Sequence, residues 1–256
     1  MNMVTKDFLD EHASRINTPD FIDNDPVRFP RLYSRLQDVE IVAFTTAVIA
    51  WGNRRSILAH AGQMFAAMGG SPYNYVMNGE YESLGNTNLH RTFFTTDLQY
   101  LLRGLHLVFD EFYSLESYLI NSFGDSRETV TPWDIAAVVM EKLRMANGGG
   151  LNRECARFFS GETSALKRVN LALRWLVRND GIVDMGVWSI IKPAQLYIPL
   201  DVHVGNTARK LGLLQRKSND RKAVEELTAR LREFCPEDPA RYDFALFGMG
   251  VNKIEH

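Results

Sequence analysis

The sequence predicts an all-α fold, and three observations carry that expectation. Apolar residues recur at helical spacing through most of the chain. No alternating apolar–polar run is long enough for a strand. The chain has 256 residues, 45% of them hydrophobic, which is enough for a substantial core. Residues 1–256 are expected to form one large helical domain or two lobes sharing a cleft, with a lobe or loop break near 147–150. There is no internal repeat and no low-complexity tract.

The elements follow in order. Val39 to Trp51 (VEIVAFTTAVIAW) is almost wholly apolar and long enough for a buried helix, which continues past Gly52 into Ser56 to Met68. Gly69, Gly70 and Pro72 end it. The Gly85 to Thr96 segment is polar and receives no assignment. Leu98 to Tyr113 places Leu98, Leu101, Leu102, Leu105, Val108, Phe109 and Phe112 on one stripe. Pro132 to Leu143 opens with Thr131 as N-cap and Pro132 at the first helical position. Asn147-Gly148-Gly149-Gly150 is the strongest break, readable as a hairpin, an active-site loop or a hinge. Leu166, Val169, Leu173, Leu176 and Val177 then form a helical stripe, capped by Thr163 or Ser164. Asp201 caps a helix that runs to Leu211, with Gly212 as the stop. Lys222 to Phe234 is a further amphipathic helix, and Tyr242 to Gly248 is the last.

Charge is uneven. The whole chain carries −2, but Leu151 to Lys217 holds 11 Lys and Arg against 5 Asp and Glu, so that stretch is +6 and the remainder −8. A basic region on an acidic body suits a protein that turns one face to a polyanion, and equally suits a solvated helix surface. Two cysteines, Cys155 and Cys235, exclude a four-cysteine iron–sulfur cluster and argue against a disulfide framework. The charged N-terminal stretch has no apolar h-region, so no signal peptide is expected. No uncharged apolar run approaches the roughly 18 residues a membrane span needs. The expected location is cytoplasmic, with no membrane partner and no protein partner.

Lys167 and Asp201 are the candidate catalytic pair. Lys167 falls in the first turn of its helix, where the positive end of the macrodipole disfavours a charged ammonium. A nucleophilic amine attacks only when neutral. The alternative is an exposed lysine on a basic helix that also carries Arg168, Arg174 and Arg178, which can bind phosphate. Asp201 is at once a good N-cap and a carboxylate that backbone N–H groups would keep ionised beside a positive centre. Two such residues, each at a helix N-terminus, can cleave a glycosidic bond and then hold the sugar as a Schiff base. His203 reads as structural or phosphate-facing. The six histidines, His256 among them, show no metal-ligand spacing, so no metal is expected.

The segment IPLDVHVGNTARKLGL resembles the aspartate-containing segment of the helix-hairpin-helix DNA glycosylases, whose usual form is V-D-T-H-V before a helix ending in R-L-G-L. Asp201, His203, Val204 and Leu211-Gly212-Leu213 match; Leu200 and Val202 replace the valine and the threonine. Common members carry the catalytic lysine in a Gly-rich hairpin shortly before the aspartate. This chain has Val183 there, and Lys167 is 34 residues upstream of Asp201. That longer spacing is similar to the archaeal 8-oxoguanine DNA glycosylase branch. The stretch from Lys167 to His203 more closely resembles a poorly characterised bacterial family grouped with these enzymes.

The resemblance implies a two-lobed glycosylase-like architecture with a helix-hairpin-helix-type element at Ser164-Ala165-Leu166-Lys167-Arg168. It implies excision of a damaged purine from duplex DNA, with Lys167 as nucleophile, Asp201 as charge stabiliser, and no cofactor. Asp243 and Phe247, one helical turn apart, match the base-pocket aspartate and aromatic of the archaeal branch, and Trp51 falls where glycosylases approach the base. Asn53, Arg54, Arg168 and His203 are the corresponding DNA-binding residues, with Asn53 or Arg54 entering the gap left by a flipped nucleotide. Two other functions remain open at the level of sequence. One is a non-catalytic nucleic-acid-binding protein on the same scaffold, and the other is a helical enzyme acting on free nucleosides or another small ligand.

Overall fold

The computed structural model of the protein describes residues 4–159 and 161–252. These residues are mostly helical. In chain order the helices are α1 (Lys6–Ile16), α2 (Pro19–Asp23), α3 (Leu36–Val48), α4 (Arg54–Ala67), α5 (Pro72–Met77), α6 (Thr95–Glu111) and α7 (Leu115–Phe123). They continue with α8 (Pro132–Ala146), α9 (Arg153–Phe159), α10 (Lys167–Val177), α11 (Val202–Lys210), α12 (Arg221–Arg232) and α13 (Asp243–Asn252). Short 3₁₀ turns fill several connections. One small antiparallel hairpin, β1 (Asn88–His90) and β2 (Phe93–Phe94), lies within the unassigned polar segment.

The core is one contiguous apolar cluster running from Leu9 to Met249. α3 is its centre, with every residue from Gln37 to Val48 buried. The expected long helix through Gly52 is two helices instead. α3 ends at Val48 with Ile49 as its C-cap, Gly52 turns the chain in a left-handed conformation at φ +99, and Asn53 then caps the next helix by accepting the Ser56 N–H at 3.2 Å. The first and last helices pack together. Gly248 lets α13 approach α1 so closely that a Cβ would strike Ile16, and the Tyr242 hydroxyl donates to Asp10 at 3.0 Å.

The break at 147–150 is the turn that ends α8 and not a β-hairpin. Gly148 and Gly149 take φ +65 and +84 and close α8, with the Gly149 N–H reaching the Arg144 carbonyl at 2.9 Å. Asn147 donates to the Leu143 and Tyr100 carbonyls at 2.8 and 3.0 Å, and the Tyr100 hydroxyl donates to Gly150 O at 2.7 Å, so α6 holds the turn. Thr131 caps α8 as its sequence predicts, through a reciprocal capping box with Asp134.

The long segment between α10 and α11 has little regular structure, and two carboxyls hold it, Glu40 through the Trp188 indole and Glu116 through the backbone at 189–190. Glu40 accepts N–H groups from Leu115, Glu116 and the Trp188 indole at 2.8 to 2.9 Å. Glu116 accepts the Ile190 N–H at 2.9 Å and the Ser189 hydroxyl at 3.1 Å. Burial pushes the Glu40 carboxyl up to about 7, against the pull of its N–H donors. These two carboxyls fix the path of the chain toward Asp201. Among the described residues no helix is long and apolar enough to cross a membrane.

Candidate active site

The turn before α10 sets the position of Lys167. Leu166, buried at the N-cap, has φ +43, a left-handed conformation that costs a non-glycine residue roughly 1–2 kcal/mol. Surrounding groups hold it there. Ser164 Oγ accepts the Leu166 N–H at 3.3 Å, the Trp133 indole donates to Ser164 O at 2.9 Å, and the Arg221 N–H donates to Thr163 O at 2.9 Å. Asn170 donates to Ala165 O at 3.1 Å from within α10. The expected Thr163 or Ser164 cap is therefore corrected: Ser164 braces the turn, and Lys167 becomes the first residue of the helix. Backbone strain that several neighbours enforce is concentrated at functional sites, and here it immediately precedes the lysine.

Asp201 arrives from the opposite side. It caps α11, with Oδ1 accepting the Val204 N–H at 2.8 Å, and its carbonyl accepts from Asn219 at 3.1 Å. Its second oxygen, Oδ2, lies 3.5 Å from Lys167 Nζ, with the two side chains 33% and 17% exposed for lysine and aspartate respectively. One carboxylate oxygen is thus committed to the helix end and the other faces the amine.

The pair lines a cavity of about 430 Å³, within the size range of small-molecule sites. The wall holds Trp51, Asn53, Arg54, His203, Asp243 and Phe247, so eight of the nine sequence-predicted site residues converge on one place. The hairpin positions Trp51. His90 donates from its ring to Trp51 O at 2.8 Å, and the Arg91 guanidinium stacks on the Trp51 ring at 4.4 Å. Asp243 opens α13 and is buried. Its Oδ2 accepts from Arg174, while Oδ1 has no partner among the described residues. Burial pushes the Asp243 carboxyl up to about 7, and the Arg174 guanidinium opposes that push.

Three expectations change. Arg168 does not line the cavity: its guanidinium donates to the Val48 carbonyl at the end of α3 and lies over the Phe158 ring at 5.3 Å. That carbonyl contact makes it a cap on the C-terminal end of α3, and burial lowers it to about 10. Arg174 and Arg178 are not an exposed basic face either. Both are buried among Asp180, Asp184, Asp238 and Asp243. Arg54 turns inward, its guanidinium 5.0 Å from the Phe247 ring centre.

Sequence reasoning missed Asp25 and Arg174 as cavity residues. Asp25 looks like an ordinary Asp-Pro turn, and only tertiary packing buries it. Among the described residues no group of three or more His, Cys, Asp or Glu side chains is arranged to hold a metal ion, and His256 lies outside those residues.

Residues 25–252 match the family described as "Protein of unknown function (DUF2400)", and the chain belongs to that family. No curated protein and no solved structure matches the chain.

Proposed function

We propose that the protein is a DNA glycosylase with AP lyase activity, excising damaged purines from duplex DNA, with 8-oxoguanine the first candidate. The observation that carries this reading is the Lys167 amine 3.5 Å from Asp201 Oδ2 inside a cavity walled by Trp51, Phe247 and Asp243. The turn from Ser164 to Arg168 that leads into α10 would serve as the helix-hairpin-helix-type element of a two-lobed glycosylase scaffold. The substrate is a nucleotide turned out of the stack, at a cost of a few kcal/mol that is lowest at a lesion.

The reaction follows from the side chains. Neutral Lys167 attacks C1′ of the deoxyribose, the C1′–N bond to the base breaks, and the base leaves with the electron pair. Asp201 stabilises positive charge at C1′ and takes the proton shed by the nitrogen. Ring opening gives the lysine–sugar imine. Loss of a C2′ proton then eliminates the 3′ phosphate and breaks the strand. No cofactor enters these steps. The aromatic walls suit a stacked base. A carboxyl at about 7, as on Asp243, can meet a base edge as acceptor or as donor.

Gel-resolved excision on duplexes carrying 8-oxoguanine, an alkylated purine, uracil or an abasic site tests the reading. The wild type should release one damaged purine, and Lys167→Gln and Asp201→Asn should not. Binding of every duplex without excision of any base would replace this reading with a non-catalytic DNA-binding protein.

A further inference from the structure

Asp25 and Arg54 line the same cavity as Lys167 but have no part in the chemistry above. Asp25 is 8% exposed. Its Oδ1 accepts the Val27 N–H at 3.1 Å, whereas among the described residues Oδ2 has only Arg54, at 3.5 Å. A charge-assisted N–H···O bond measures roughly 2.7–2.9 Å, so this contact leaves most of the oxygen's acceptor capacity unused. The Arg54 guanidinium also lies over two rings, 5.0 Å from the centre of Phe247 and 5.8 Å from that of Phe21. A single flat group rich in N–H donors therefore sits between a carboxyl and an aromatic wall.

We infer that Asp25 is a ligand-recognition carboxyl and that Arg54 holds its place. A planar heterocycle with an N–H donor edge that stacks on Phe247 takes over both contacts and turns Arg54 outward. The place Arg54 occupies selects flatness, donors and stacking, which are the properties such a ligand shares with a guanidinium. The exchange needs only side-chain rotation. Arg54 is the first residue of α4, its backbone is fixed by the Asn53 cap, and its side chain is already 39% exposed. Burial raises the Asp25 carboxyl, so it gains from a close donor that the present Arg54 contact does not supply. Turned outward, Arg54 reaches the rim beside Asn53, where a phosphate would meet it. This inference rests on the cavity being a base pocket and gives Arg54 a gating role there.

The test is equilibrium binding of 2′-deoxyguanosine and 8-oxo-2′-deoxyguanosine, followed by tryptophan fluorescence. All variants are made in Lys167→Gln protein, where no covalent step intervenes. Arg54→Ala should tighten binding roughly tenfold, the scale of one part-exposed cation–π contact plus one weak ion pair. Asp25→Leu in the Arg54→Ala background should reverse the gain, and Asp25→Asn, which keeps the shape and one acceptor oxygen, should reverse it in part. Unchanged or weaker binding in Arg54→Ala would overturn the placeholder role. Binding indifferent to both Asp25 variants would overturn the recognition role. No binding by any variant would overturn both. Excision assays stay independent, because failure of excision leaves these affinities readable.

Discussion

The two ends of α10 handle positive charge in opposite ways. At its C-terminal end Arg174 and Arg178 have side chains 3% and 6% exposed. Arg174 pairs with Asp184 at 3.2 Å and with Asp243, and Arg178 pairs with Asp184 at 3.0 Å, Asp238 at 2.8 Å and Asp180. At the N-terminal end Lys167 has one ion pair among the described residues, at 3.5 Å, and stays partly open to solvent. At the closed end both guanidinium groups are held by several carboxylates in the core. The open end keeps an amine and a carboxylate oxygen uncommitted beside a cavity. Asp243 joins the two, with one oxygen on Arg174 and the other facing no donor. The difference teaches that basic composition on a helix says little about function until each cation's partners are known.

Substitutions can break that contrast. Lys167→Gln should abolish excision while moving unfolding free energy by no more than about 0.5 kcal/mol, as expected of a part-exposed residue outside the core. A large drop in stability would make Lys167 a structural residue. Arg174→Leu should cost about 3–5 kcal/mol by leaving buried carboxyls uncompensated. Chemical denaturation checks it, and a loss under about 1 kcal/mol would remove the structural role assigned to the cluster. Glu40→Gln should cost about 1–3 kcal/mol, because its amide NH₂ faces N–H groups that need an acceptor. A matching loss of trypsin resistance in the 178–201 segment would tie that cost to the path of the chain.

A further effect is in pH. Burial raises Asp243 from 3.8 to about 7. The folded state therefore holds this proton over a range where the unfolded chain has released it. The resulting stabilisation is complete below about pH 4 and is lost as pH rises through about 7. Asp243→Asn should flatten that fall in denaturation curves taken across the interval. An unchanged slope would show that Arg174 keeps the carboxylate ionised throughout.

What the sequence could reveal depended on how local each cause was. The Thr131 and Asp201 caps were legible because a cap is decided within four residues. The approach of Lys167 to Asp201 followed from a motif resemblance rather than from periodicity. Leu166 in a left-handed conformation was not legible, since Trp133, Arg221 and Asn170 enforce it from other helices. Arg174 and Arg168 read as a phosphate-binding face because their carboxylate and carbonyl partners lie far along the chain. The short β1–β2 hairpin falls below the length at which alternation is detectable, yet it holds Trp51 at the cavity.

The most direct measurement is borohydride trapping on a lesion-containing duplex, followed by proteolysis and mass mapping of the adduct. The account predicts a reduced sugar on Lys167 alone, absent in Lys167→Gln and retained in Arg168→Ala. An adduct on another lysine, or none on any duplex the protein binds, would contradict it.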